Sequence, residues 1–224
     1  MILFLEDWKK YPQARLHLST QNTSFLNHAV LYREMGLKNH AFLLALHNPS
    51  LEHLDPHDTT LSLEQMAAIA IECRENPWYF LREVARVPLK GSSEPSKFLA
   101  HRGNIALFWL FFNHILTILV QIRQTGKSVA MDVLDIYLMN IASVNVTIAL
   151  LTKDDGLRSF NLERLKEIQS ELPFYLNQKA YDDISNTEMM SIKKMGNEFR
   201  AYVPQKSVKA ALNVGRGLTV PVMK

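Results

Sequence analysis

The sequence predicts an α/β fold, a three-layer domain with a parallel sheet and a mostly helical N-terminal appendage. Four observations predict it. The apolar run 115–122 has strand length and is followed by Arg123-Gln124-Thr125-Gly126-Lys127-Ser128, which opens a segment of helical periodicity. Asn145-Val146-Thr147-Ile148-Ala149-Leu150-Leu151 reads as a second buried strand. The span between Ile122 and Asn145 has the length of a crossover helix with its loops. Phe199-Arg200-Ala201-Tyr202-Val203 alternates like a third strand.

In chain order, residues 1–22 carry no clear periodicity. Thr23-Ser24 caps a helix running to Glu34, which Gly36 ends. Residues 37–60 are irregular, with Pro49 and Pro56. A helix begins at Leu61-Ser62-Leu63-Glu64 and continues to Cys73. Pro77 fits the first turn of the next helix, which buries Trp78 and Leu81. Residues 91–96 have linker composition. The most apolar window, 105–120, is interrupted by Asn113 and His114 and falls short of the ~20 residues a membrane span needs. It reads as a buried helix, a turn and the strand before the loop. A helix follows over 127–140. Another, over 156–172, carries Leu157, Phe160, Leu165, Ile168 and Leu172 on one face and stops at Pro173. Gly215-Arg216-Gly217 is a turn signal before a last strand at 218–223, which contains Pro221. The expected domains are an appendage over 1–90, a linker over 91–100 and a partial α/β domain over 101–224.

Composition narrows the classes. The 224 residues are 47% hydrophobic, enough for a sizeable core. The single Cys73 excludes an intrachain disulfide and suits a reducing compartment. Met1-Ile2-Leu3-Phe4-Leu5 is followed by Glu6 and Asp7 and lacks the basic start of a signal peptide. The net charge of +3 is small, but Lys193, Lys194, Arg200, Lys206, Lys209 and Arg216 face only Glu198 in one stretch. Such a stretch either tracks a phosphate backbone or is a solvated basic surface.

The layout around Gly126 is that of a P-loop, in which a strand feeds a tight loop that caps a helix. Backbone N–H groups around Gly126 point at phosphate oxygens, helped by the positive helix end. Lys127 reaches the β- and γ-phosphates, and the Ser128 hydroxyl holds Mg²⁺. The loop begins at Gln121, where the general pattern has Gly, and includes Gln124 and Thr125. Arg123 either senses the γ-phosphate or pairs with a carboxylate to hold the loop. A Gly-initiated helix with a merely solvated Lys127 is the alternative.

Three blocks carry a family likeness: Asn76-Pro77-Trp78-Tyr79-Phe80-Leu81-Arg82-Glu83, His101-Arg102-Gly103-Asn104, and the Arg123–Ser128 loop. Together they resemble the large terminase subunit of tailed double-stranded DNA bacteriophages. The likeness covers roughly residues 60–224. That family's loop reads Arg-Gln-x-Gly-Lys-Ser/Thr, so Gln121 agrees with it. The resemblance implies a RecA-like ATPase with ATP and Mg²⁺ as cofactors. It implies Arg123 and Lys127 as catalytic residues, and Asn104 near adenine where the family has Gln. The implied partners are double-stranded DNA, a portal protein and a small terminase subunit, with no membrane and with a ring oligomer on assembly. The implied place is the host cytoplasm, at the procapsid portal. Gly215-Arg216-Gly217 resembles the step before the family's Walker B strand, but no Asp-Glu pair follows Met223. The chain is therefore expected to be the front part of a packaging ATPase, slow or inactive in hydrolysis alone. The rival expectations are a nucleotide- or partner-binding module without turnover and a helicase-type P-loop ATPase.

Other groups read as structural. His53 and His57 have a helical ligand spacing, but Pro56 argues against a helix and so against zinc. Asp132 and Asp135 share a helix face, read as solvated. Asp154-Asp155 reads as a helix cap. Cys73 reads as core. The aromatic residues Trp78, Trp109, Phe111 and Phe112 read as core too, leaving only Tyr79 or Phe80 to touch adenine.

Overall fold

The computed structural model describes residues 8–89, 91–92, 94–118, 120, 126–203 and 220–223. The chain forms two compact units, Met1–Ala130 and Met131–Lys224.

The first unit begins with a two-residue strand β1 (Arg15–Leu16) and a helix α1 (Thr23–Glu34). Asn22 precedes α1, but its side chain does not cap it. Its amide nitrogen instead donates to the carbonyls of Arg82, at 3.0 Å, and Phe98, at 2.9 Å. Strand β2 (Ala45–Leu46) pairs antiparallel with β1. Helix α2 (Leu63–Glu75) opens with a capping box in which Ser62 and Gln65 satisfy each other's backbone N–H. Asn76 stands at the junction with the short helix α3 (Pro77–Tyr79), which continues as a π turn over Phe80–Val84. The Asn76 amide donates to Ala45 O at 2.9 Å and to Glu72 Oε1 at 2.7 Å. The buried Glu72 carboxylate also accepts the backbone N–H groups of His47 and Asn48, each at 2.9 Å. Strands β3 (Arg86–Val87) and β4 (Ser96–Lys97) pair antiparallel, so the stretch with linker composition belongs to the connection of a small hairpin.

Helix α4 (Arg102–Phe112) closes the core of this unit. Ring contacts run from Tyr32 to Phe42 (6.1 Å), to Trp78 (5.3 Å), to Phe112 (6.0 Å), to Phe108 (6.3 Å) and to Phe98 (5.7 Å). These rings bury large apolar area and lock in edge and stacked geometries. Tyr79 and Phe80 are fully buried, so the expectation that one of them reaches a base is corrected. Beneath them lies Arg82, a fully buried cation. It donates to Leu43 O, to Glu83 Oε1 at 2.9 Å and to His17 Nδ1 at 3.2 Å. Thr20 donates to the same Glu83 oxygen at 2.5 Å. The guanidinium thus meets the partners that make a buried charge tolerable.

After α4 the structure departs from expectation. His114 is left-handed, with φ +57°. The Ile115 N–H turns back to Leu110 O at 3.0 Å. Residues 115–118 and 120 form no strand, and Leu116, Ile118 and Val120 are 100%, 91% and 89% exposed. The buried strand expected over 115–122 is corrected at these positions; 119, 121 and 122 lie outside the described residues. An apolar run becomes a strand only by pairing, and the second strand of the expected βαβ unit has both edges occupied, as follows.

Helix α5 (Lys127–Tyr137) spans the division between the units and continues as a π turn over Leu138–Ala142. Strand β5 (Thr147–Leu151) follows, then α6 (Asp155–Ser170). Strands β6 (Met189–Ile192), β7 (Asn197–Tyr202) and β8 (Val220–Met223) complete a sheet of order β6-β7-β5-β8. β5 runs parallel to both β7 and β8, while β6 is antiparallel to β7. Ile148 sits opposite Phe199 on one side and Val220 on the other.

Polar side chains fix this unit. Asp154 caps α6, its carboxylate accepting the Leu157 N–H at 2.8 Å, as its position after the strand predicts. Asn197 accepts the Val146 N–H at 2.9 Å and donates to Met139 O and Ser143 O at 2.8 Å each. The buried face of α6 is Asn161, Leu162, Leu165, Ile168 and Gln169. Leu157 and Phe160 are exposed, which corrects their expected place on that face. Two amides occupy the stripe that apolar periodicity assigned to them, and the Arg164 guanidinium lies over the Phe160 ring at 5.4 Å. Among the described residues no helix is long and apolar enough to cross a membrane.

Candidate functional site

Gly126 has φ +71°, in the left-handed region that favours glycine. Its carbonyl accepts the Ala130 N–H at 2.9 Å, the first bond of α5. Gly126 therefore holds the cap position of an eleven-residue helix whose first two residues are Lys127 and Ser128. The first turn of any helix leaves backbone N–H groups without intrahelical partners. Lys127 is exposed, and no ion pair holds it among the described residues. Ser128 is half-buried. N–H groups at a helix start beside a lysine are a donor set that suits a phosphate, and a serine hydroxyl is a group that can ligate Mg²⁺. Gln121, Arg123, Gln124 and Thr125 lie outside the described residues.

His101, which precedes α4, lies beside Gly126. Its Nδ1 accepts the Asn104 N–H at 3.3 Å, and Asn104 Oδ1 accepts the His101 N–H at 2.8 Å, a reciprocal cap. With Nδ1 accepting, the neutral ring carries its hydrogen on Nε2. Nε2 stands 3.8 Å from the point where a Cβ on Gly126 would lie. Sequence reasoning missed His101 as a neighbour of the loop; only its place in the His101–Asn104 block hinted at it. Asn104 itself is buried, and its amide nitrogen donates to Leu99 O at 3.0 Å. Its amide serves the turn that opens α4.

The two acids on α5 are not on a solvated face, which corrects that reading: both are buried. Asp132 Oδ2 accepts from Arg164 Nε at 2.5 Å, and Arg164 also donates to Asn161 at 3.0 Å. Burial pushes the Asp135 carboxyl well above the usual carboxylate range. Helix α5 is enclosed through most of its length from Ala130, so its acids must be paired or protonated.

A concavity of about 250 Å³ is lined by His17, Thr20, Glu52, Asp55, Glu83 and Lys97 among others. Burial, and then the Arg82 charge, lower the His17 pKa, while Glu83 opposes them. His57 Nε2 lies 2.9 Å from Val84 O, so it is spent on the backbone. No cluster of metal-ligating side chains occurs among the described residues. In the basic stretch, Lys193 pairs with Asp182 at 2.9 Å and Arg200 with Glu198 at 2.5 Å. Lys206, Lys209 and Arg216 lie outside the described residues.

Compared with known proteins, the chain matches no family model and no curated protein.

Proposed function

We propose that the chain binds a nucleotide through a P-loop, as the ATP-binding part of a terminase-type DNA-packaging motor. The observation that carries the reading is Gly126: left-handed, capping α5, and followed directly by Lys127 and Ser128. A left-handed residue before a helix turns successive N–H groups toward one point, the concavity that holds phosphate. Lys127 then adds a mobile positive charge, and Ser128 a Mg²⁺ ligand. Magnesium needs only one or two protein ligands when phosphates and water supply the rest.

The three sequence blocks extend the proposal to ATP-driven translocation of double-stranded DNA, with a portal protein and a small subunit as partners. Arg123 is then the γ-phosphate sensor.

Isothermal titration of Mg-ATP and Mg-ADP against wild type and Lys127→Ala tests the binding reading. The expected result is saturable binding by wild type and loss of at least tenfold in the variant, the scale of a charge-assisted phosphate contact. Equal binding by both proteins refutes it.

A further inference from the structure

We infer that the concavity lined by Glu83 and Lys97 binds a small zwitterion, a molecule with an ammonium group at one end and a carboxylate at the other. It shares no residue with the loop at Gly126, so it does not depend on the nucleotide reading.

The negative wall starts at Glu83, which is 7% exposed. Its Oε1 is spent inside the protein, where Thr20 donates to it at 2.5 Å and Arg82 at 2.9 Å. Oε2 accepts from no described residue, and it is not sealed in the interior. Its lone pairs therefore face the concavity that Glu83 lines. The Glu52 and Asp55 carboxylates line it too. His17 adds no charge to this wall. Its Nε2–H donates to Glu52 O at 2.8 Å, and its Nδ1 accepts from Arg82 at 3.2 Å, which is the neutral tautomer. No three metal-ligating side chains come together among the described residues, so these carboxylates suit the N–H donors of an organic cation better than a metal ion.

The positive wall is the β3–β4 hairpin. Arg86 stands directly opposite Lys97 in its register, and both line the concavity. Opposed like charges destabilise an antiparallel pair, and an anion between them removes that cost. Lys97 is half-buried and forms no ion pair among the described residues. Lys97 and the carboxylates thus share one concavity without meeting. A ligand carrying both charges satisfies each wall. An ammonium or a carboxylate alone meets one wall and is repelled by the other. The volume of about 250 Å³ lies below the ~300–1,000 Å³ of pockets for drug-sized ligands, so the occupant is small.

Calorimetric and amide-NMR titrations of the full chain with glycine, γ-aminobutyrate and ε-aminocaproate test the inference. Butylamine and butyrate serve as the two half-ligands. At least one zwitterion is expected to bind roughly tenfold more tightly than either half, with shifts centred on Thr20, Glu83 and Lys97. Lys97→Met should weaken that zwitterion roughly tenfold and leave butylamine no weaker. Glu83→Gln should weaken the zwitterion and butylamine alike, each about tenfold, and leave butyrate no weaker. If Glu83→Gln does not fold, because Arg82 loses its partner, Lys97→Met decides alone. Butylamine binding as tightly as every zwitterion, or a zwitterion indifferent to Lys97→Met, overturns the inference in favour of a simple cation site. No saturation by any zwitterion up to about 10 mM also overturns it, as do shifts centred on Lys127.

Discussion

The Asn145 amide oxygen stands where a methyl group on Gly196 would have to go. Both residues are left-handed, at φ +56° and φ +68°. The Asn145 N–H donates to Met195 O at 2.9 Å, so the turn between β6 and β7 is closed against the entry to β5.

Gly196→Ala therefore carries two costs, left-handed strain of about 1–2 kcal/mol and an overlap of about 1–3 kcal/mol. Adding Asn145→Gly removes the overlap and keeps the backbone permissive, so the double variant recovers that second part. Gly126→Ala meets only His101 Nε2 at 3.8 Å and costs the strain alone. Urea midpoints of the four proteins check the ordering. A Gly196→Ala midpoint no lower than that of Gly126→Ala contradicts it.

Asn197→Ala takes one acceptor and two donors from Val146, Met139 and Ser143. The expected loss is about 3 kcal/mol, because buried groups left without partners cost more than a hydrogen bond gains. Amide exchange should accelerate at Val146 before it does in α2. Unchanged protection at Val146 would show that water replaces the side chain without loss.

Acid should weaken the fold through two histidines. Burial lowers the His17 pKa first, with Arg82 second; burial also leads for His57, with Arg86 second. A depressed histidine is neutral when folded, and the unfolded chain binds its proton more readily. The stability these groups contribute is present above their ordinary value of about 6.5 and is lost as pH falls through it. Melting temperature should drop between about pH 7 and about pH 5.5. His57→Gln, which keeps a donor for Val84 O, should shallow that slope. Identical slopes would remove His57 from the account.

Asp135 acts with the opposite sign. Burial raises the pKa of its folded carboxyl, so stability is lost as pH rises above the usual carboxylate range. Asp135→Asn should melt higher than wild type near about pH 7.5 and converge with it near about pH 4. A variant that melts lower at every pH would mean the ionised group is used by a partner.

How much was legible follows from what each residue depends on. Asp154 and Pro77 act on their own helix ends, and local spacing located both. Strand β7 was visible from alternation, because burial on one face imposes a period of two. β6 was not, since Met189 to Ile192 alternates no better than a loop and is set by its neighbour. The run 115–122 has the composition of a strand, but pairing is a long-range property. Asp132 and Asp135 looked solvated because nothing local reveals Arg164 or the enclosure of α5. At the loop, Gly126 could be read from the motif, whereas His101 reaches it only through the folded course of α4.

Cys73 is the chain's only thiol, fully buried in α2, with its pKa pushed up by that burial. The protein therefore carries its own opening clock. A maleimide or disulfide reagent can react only when the first unit breathes, and no second sulfhydryl confuses the signal. When closing outruns labelling, the ratio of the observed rate to that of an unfolded chain gives the opening equilibrium directly. The second unit is silent in that readout, so native-state labelling measures one half of the molecule while tryptophan-free probes on β5 and α6 report the other.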